Sequence, residues 1–246
     1  MTKLRLATTH PGEPEIFHSL QGEGVSAGRP SVFVRLSGCN LACHWCDTPY
    51  TWFFTDHAGD HRGRQTFDRR DNSLTLDAAQ VAQQIAAFGC RYIVFTGGEP
   101  LLQQPGLVAL CEALGPDYHI EIESNATVAL TPAFGGHVDQ LNLSPKLVHS
   151  GNPDSARLNE AALLTYAQDQ RAWFKFVIAS PQDADEVAIL AQRFGLSGER
   201  ILLMPEGTSP AELRERSRWL GPLCLAKGWR FTDRLHIHLY GDTRGT

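Results

Sequence analysis

Cys39-Asn40-Leu41-Ala42-Cys43-His44-Trp45-Cys46 follows directly on a strand-like stretch, residues 31–37, and its three thiols leave one metal valence over. A 4Fe-4S cluster takes four thiolates, one per iron. Three in so short a loop would hold a cluster whose fourth iron is open to another ligand. A competing reading joins Cys43 and Cys46 to His57 and His61 as a C-x2-C, H-x3-H zinc site. That reading strands Cys39 and leaves ten residues between the two pairs, fewer than a usual zinc finger has. A disulfide suits the chain least, because no apolar leader opens the sequence and paired cysteines do not fit a reducing cytosol.

Outward from the loop, short β-branched runs recur, each followed by a turn and a helical pattern: 31–37, 91–96, 119–123, 140–143, 173–178, 200–204 and 235–240. Such a series reads as βα units. Helices are expected at 76–88, where Leu76, Ala79, Ala82, Ile85 and Ala86 recur at helical spacing behind Thr75 as N-cap, and at 183–194 and 210–227. No long linker, low-complexity tract or short repeat interrupts the series, so one domain spanning 1–246 is expected. Six or seven parallel strands predict an α/β fold, a partial (incomplete) (β/α) barrel, although a flat doubly wound sheet has the same local pattern.

The polar motifs favour the barrel. Cys39 follows the first run, Gly97-Gly98-Glu99-Pro100 the second, Ser124-Asn125 the third, Ser144-Pro145-Lys146 the fourth and Pro205-Glu206-Gly207 the sixth. In a barrel those strand ends converge on one mouth. Glycine, proline, serine and asparagine also end strands for turn reasons. That explains any one motif, but not why the cysteines join the same edge.

Composition narrows the function. With 42% hydrophobic residues in 246, a core can be filled, and a net charge of −5 argues against a broad nucleic-acid footprint. No apolar run approaches the roughly 18 residues that span a bilayer. A globular, cytoplasmic enzyme is expected. Cys90, Cys111 and Cys224 lie in apolar surroundings and read as small core residues.

Several residues look chemical. Alternation in 31–37 puts Arg35 on the face of Phe33, opposite Val32, Val34 and Leu36. Its partner is either a structural carboxylate such as Glu15 or a substrate carboxylate held by the guanidinium fork. In Leu20-Gln21-Gly22-Glu23-Gly24 the amide and carboxylate could read the edge of a heterocycle, or the run is a polar turn. Asp47-Thr48 is a cap, or else Thr48 places a hydroxyl on a hard cation such as Mg²⁺. The two glycines after 91–96 would let backbone approach a ligand closely. Residues 53–72, rich in His, Asp and Arg, read as a solvated loop, with a lid as the other reading.

The cysteine spacing together with Gly97-Gly98-Glu99-Pro100 resembles the radical S-adenosylmethionine (SAM) superfamily, in which SAM chelates the open iron and the Gly-Gly-Glu-Pro run contacts its amino group. The runs Glu15-Ile16-Phe17-His18-Ser19-Leu20-Gln21-Gly22-Glu23-Gly24, Phe33-Val34-Arg35-Leu36-Ser37-Gly38-Cys39 and Cys46-Asp47-Thr48 are similar to the 7-carboxy-7-deazaguanine synthase family of queuosine and 7-deazapurine biosynthesis. Landmarks continue through Ser144-Pro145-Lys146, covering about the first three-fifths of the chain. The resemblance implies a homodimeric lyase that converts 6-carboxy-5,6,7,8-tetrahydropterin to 7-carboxy-7-deazaguanine with loss of ammonia. It implies a 4Fe-4S cluster, SAM and Mg²⁺ as cofactors, and a flavodoxin or ferredoxin as electron donor. A radical derived from SAM would take hydrogen from C6 of the pterin before the ring contracts.

Residue by residue, the resemblance implies that Cys39, Cys43 and Cys46 hold the cluster and Thr48 the Mg²⁺. Trp45, Asp47, Gly98, Ser144, Pro145 and Lys146 would line SAM, with a further SAM contact near Gln182, Asp183, Ala184 and Asp185. Leu20, Gln21, Gly22, Arg35 and Thr96 would hold the pterin. The sequence departs from the family pattern in residues 53–72 and in the ending 240–246. Two functions of other classes stand beside this one: a radical SAM activase that installs a glycyl radical on a partner protein, and a non-catalytic zinc or iron-sulfur protein.

Overall fold

β-Branched and aromatic residues in short runs build the centre of the molecule, and alternation decides which way each side chain faces. The computed structural model describes residues 2–55 and 66–246. Among these, eleven strands form one sheet: β1 (Lys3–His10), β2 (Glu13–Pro14), β3 (Ile16–Leu20), β4 (Pro30–Leu36), β5 (Ser73–Asp77), β6 (Tyr92–Gly97), β7 (His119–Ser124), β8 (Gln140–Leu143), β9 (Ala172–Ile178), β10 (Ile201–Pro205) and β11 (Arg230–Phe231). The order is β11-β10-β9-β8-β7-β6-β4-β1-β2, with β3 paired to β4 and β5 to β1. From β4 through β11 every neighbour is parallel, while β1, β2, β3 and β5 add antiparallel pairs at the β4 edge. The two ends of the sheet do not pair, so the architecture is the partial barrel that the βα series predicts.

Each central strand has an apolar outer face. Val34, Phe95, Ile122, Leu143 and Phe174 point there and are fully buried in one cluster with Ile85, Leu107 and Val187 from the covering helices. Full burial of side chains this size stabilises by about 1.5–3 kcal/mol each. Cys111 and Cys224 are buried in the same layer, and Cys90 packs against it. The inner face is polar over its centre, with a small apolar plug of Phe17, Phe33 and Val94 on one side and Val177, Leu202 and Met204 on β9 and β10. Register sets Arg35 beside Thr96, Val94 beside Glu121 and Glu123 beside Asn142, so polar side chains share the barrel interior.

The helices Asp183–Phe194 and Pro210–Lys227 run as expected. Three expectations need correction. The helix expected at 76–88 is Ala78–Ala87, capped by Asp77 rather than Thr75, because residues 73–77 pair with β1 as β5. Residues 235–240 form a helix, Leu235–Tyr240, instead of a strand. Their apolar alternation imitates a strand, but β11 already occupies the neighbouring edge of β10, and only Ile237 of the six is buried. Segment 53–72 is not simply a solvated loop: Phe53, Phe54 and Asn72 are buried, and Arg69–Asn72 is a helical turn. Residues 56–65 of that segment, with His57 and His61 of the zinc reading, lie outside the described residues.

Candidate active site at the barrel mouth

The cysteine loop leaves β4 through Gly38, whose φ of +102° suits glycine, and opens into a cavity of about 390 Å³. Cys39, Cys43 and Cys46 all line it. N–H groups point at each sulfur: Leu41 N donates to Cys39 Sγ at 3.4 Å, Asn152 Nδ2 to Cys43 Sγ at 3.2 Å, and Trp52 Nε1 to Cys46 Sγ at 3.2 Å. Burial pushes the Cys39 thiol up to about 12 and the Cys46 thiol up to about 11, and raises Cys43 as well. Without a positive group bound, the loop holds thiols rather than thiolates.

Gly97-Gly98-Glu99-Pro100 serves mainly to bring two loops together. A Cβ on Gly97 would lie 2.2 Å from Leu36 O, and one on Gly98 2.1 Å from Gly38 O. The close backbone approach foreseen for a ligand is therefore made first to the cysteine loop, where Glu99 N–H also donates to Gly38 O at 2.8 Å. Both glycines still line the cavity, whereas Glu99 is fully buried outside its wall. The Glu99 carboxylate accepts from Ser124 Oγ, Leu101 N and Asn125 N, and burial raises its pKa.

A buried ion network ties the N-terminal turn to the cysteine loop. Arg234 Nε donates to Glu23 Oε1 at 3.0 Å, while its Nη2 pairs with Asp47. Lys175 pairs with the other Glu23 oxygen. Burial opposes the charge on Glu23, yet Lys175, Arg234 and His236 hold its carboxyl well below the usual range. Both Glu23 oxygens are thus taken by cations, so the idea that this carboxylate reads a heterocycle is not supported. Asp47 is likewise held ionised, chiefly by Arg234 against the cost of burial.

Gln21 lies deeper, with Nε2 donating to Glu121 at 2.7 Å and to Glu123 at 3.2 Å, and Oε1 accepting from Glu23 N–H. Burial and the adjacent Glu123 push Glu121 up to about 6. Thr96 Oγ1 donates to Glu123 Oε2 at 2.7 Å on the cavity wall. Arg35 Nε donates to Glu15 Oε1 at 2.8 Å while Arg35 itself lines the cavity, so the structural pairing exists and the Nη edge is what remains for a ligand. The Thr48 side chain makes no cap hydrogen bond; its hydroxyl lies 3.8 Å from Cys46 Sγ.

Of the expected SAM residues, Trp45, Asp47, Gly98, Ser144 and Lys146 line the cavity with the cysteines. Lys146 Nζ donates to Ser144 Oγ at 2.9 Å and lies 5.3 Å from the Trp45 ring centroid, and Trp45 Nε1 is buried without a hydrogen-bond partner among the described residues. Leu20, Gln21, Gly22, Arg35 and Thr96 line it from the substrate side. Pro145, Gln182, Asp183, Ala184 and Asp185 are not in the wall. Asp183 instead accepts from Ala179 N and Ser180 N, tying down the start of its own helix. Glu123, Lys175, Arg234 and His236 do line the cavity and were missed from the sequence. For Glu123 a signal existed: His119-Ile120-Glu121-Ile122-Glu123-Ser124 alternates acids with isoleucines in a strand.

An open parallel barrel with three thiols on the loop after its first parallel strand defines a class, and residues 33–149 match the Radical SAM superfamily. The 7-carboxy-7-deazaguanine synthase of Pyrobaculum aerophilum is 38% identical over 232 residues, 94% of this chain and 95% of that one. The Halobacterium salinarum protein of the same name is 33% identical over 254 residues, covering 94% and 91%. The crystal structure of QueE from Escherichia coli shares the fold, with a TM-score of 0.65 and 24% identity over 94% of this chain and 95% of that one. This chain belongs to the 7-carboxy-7-deazaguanine synthase family.

The residues fit the cluster this family implies. Three thiols share one loop and one cavity wall, and the N–H groups directed at their sulfurs would stabilise thiolate charge once iron displaces the protons.

Proposed function

We propose that this chain performs the ring contraction of 6-carboxy-5,6,7,8-tetrahydropterin to 7-carboxy-7-deazaguanine with release of ammonia. The observation that carries the reading is the meeting, in one cavity, of the three cysteines with Arg35 and the Thr96–Glu123 pair. When bound, the 4Fe-4S cluster and SAM supply the one-electron chemistry that removes a hydrogen atom from the substrate. The protein's own residues bind and orient. Lys146, Ser144, Trp45, Asp47 and Gly98 form the SAM side of the wall. On the opposite side Arg35 takes the substrate carboxylate through its Nη edge, while Glu123, aligned by Thr96 and Gln21, accepts from pterin N–H groups.

Thr48 supplies one hard oxygen for Mg²⁺, an assignment supported by a side chain that lines the cavity and caps nothing. The reading extends to a single domain over 1–246 that works as a homodimer in the cytoplasm and draws its electron from a flavodoxin or ferredoxin. Among the described residues no helix is long and apolar enough to cross a membrane. No observation favours the activase or the non-catalytic metal protein. Anaerobic incubation of the reconstituted protein with SAM, dithionite, Mg²⁺ and the carboxytetrahydropterin should release ammonia in step with pterin consumed. Pterin left intact while SAM is cleaved on a partner polypeptide would move the chain to the activase class.

A further inference from the structure

The residues after Tyr240 lie where the family resemblance gives no guidance, yet Gly241, Thr243, Arg244 and Thr246 form part of the cavity wall. Arg244 lies flat against Tyr50, with Cζ 3.5 Å from the ring centroid, and its Nη1 donates to Asn72 Oδ1 at 3.0 Å. Phe67 meets the same Tyr50 ring edge-on at 6.2 Å. The Tyr50 hydroxyl donates at 3.1 Å to Glu15 Oε1, the oxygen that also accepts from Arg35 Nε at 2.8 Å. Glu15 is fully buried, and its other oxygen, Oε2, has no hydrogen-bond partner among the described residues.

That asymmetry matters. A carboxylate tethered at one oxygen by Arg35 Nε alone can turn partway about its Cγ–Cδ bond and shift the guanidinium with it, unless a second donor holds that oxygen in place. The Tyr50 hydroxyl does so, and its ring is held on one face by the Arg244 cation. We propose that Arg244 is a positioning residue for substrate binding: acting through Tyr50 and Glu15, it fixes the guanidinium of Arg35 in the orientation that receives the substrate carboxylate. The inference rests on the reading of Arg35 given above and adds to it the C-terminal residues.

Anaerobic equilibrium binding to the reconstituted holoenzyme tests it, using 6-carboxytetrahydropterin and a tetrahydropterin lacking the carboxylate. Arg244→Ala should weaken the carboxylated ligand roughly threefold to tenfold and leave the other unchanged. Tyr50→Phe should act in the same direction, and Arg244→Lys should restore part of the loss. In an Arg35→Lys background, Arg244→Ala should add little, because both changes act through one guanidinium. Thermal melting of Arg244→Ala and Tyr50→Phe checks that each variant is folded. Equal weakening of both ligands would make Arg244 a wall residue only and overturn the proposal. Weakening by Arg35→Lys with none from Arg244→Ala and Tyr50→Phe would overturn the relay while sparing the Arg35 reading. Unchanged carboxylate selectivity in Arg35→Lys would remove that reading and the relay together.

Discussion

The two faces of the same strands do different work. On β4, Val32, Val34 and Leu36 turn outward into the apolar layer, while Phe33 and Arg35 turn inward; on β7, Ile120 and Ile122 turn outward and Glu121 and Glu123 inward. The outer layer is stabilised by area removed from water, a non-directional effect that many apolar side chains could supply. The inner face carries buried charge, which is tolerable only when paired and hydrogen-bonded. It meets that condition through long-range partners such as Glu23 with Lys175 and Arg234, and Glu15 with Arg35 and Tyr50. Packing on one face of the sheet lets the other face hold a strained concentration of charge.

Changes on the two faces should separate activity from stability. The largest effect is expected from Cys39→Ala, the one cysteine the zinc reading does not use, which should abolish cluster binding and SAM cleavage while the apo fold melts close to wild type. Full activity with zinc bound in that variant would contradict the cluster. Next comes the outer face, where Phe174→Ala should cost about 3–5 kcal/mol of stability, read by urea unfolding. A cost under about 1 kcal/mol would mean that the outer layer is not the main support. On the inner face, Arg35→Lys keeps the charge but loses the fork and should weaken carboxytetrahydropterin binding by about 1–3 kcal/mol with the cluster spectrum intact.

Smaller effects sharpen the contrast. Cys39 and Cys46 have folded-state pKa values raised to about 12 and about 11, above the ordinary thiol value, so the unfolded chain loses these protons first as pH rises. Apo-protein stability should therefore fall between about pH 8.5 and 12, and the fall should be shallower in the Cys39, Cys43, Cys46 triple Ala variant, where buried Cys111 and Cys224 still contribute. Melting curves that superimpose over that range would show the thiols to be less buried than described. Thr48→Val should raise the Mg²⁺ concentration needed for turnover without changing SAM binding; identical Mg²⁺ titrations would place the metal elsewhere.

The outer face was the more legible of the two. Parallel strands announce themselves as β-branched runs followed by helical patterns, and two helices were placed to the residue because their caps are local: Ser209 with Glu212 at one start, Gly195 and Gly228 at two ends. β1 was missed, since Lys3, Arg5 and two threonines dilute its apolar alternation, and its sheet partners follow only from the fold. The cysteine loop and Arg35 were readable because spacing and strand parity are short-range properties. Arg234 was not, because nothing local marks an arginine whose partner Glu23 is 211 residues away. Residues 235–240 misled for a related reason: alternation gives a strand only where a sheet edge is free to accept it.

The most direct test of the account is mass analysis of the product formed when anaerobically reconstituted protein meets SAM, dithionite, Mg²⁺ and 6-carboxy-5,6,7,8-tetrahydropterin. The account predicts 7-carboxy-7-deazaguanine from the wild-type protein and none from Cys43→Ala. A folded, cluster-loaded wild-type protein that leaves the pterin unchanged would contradict it.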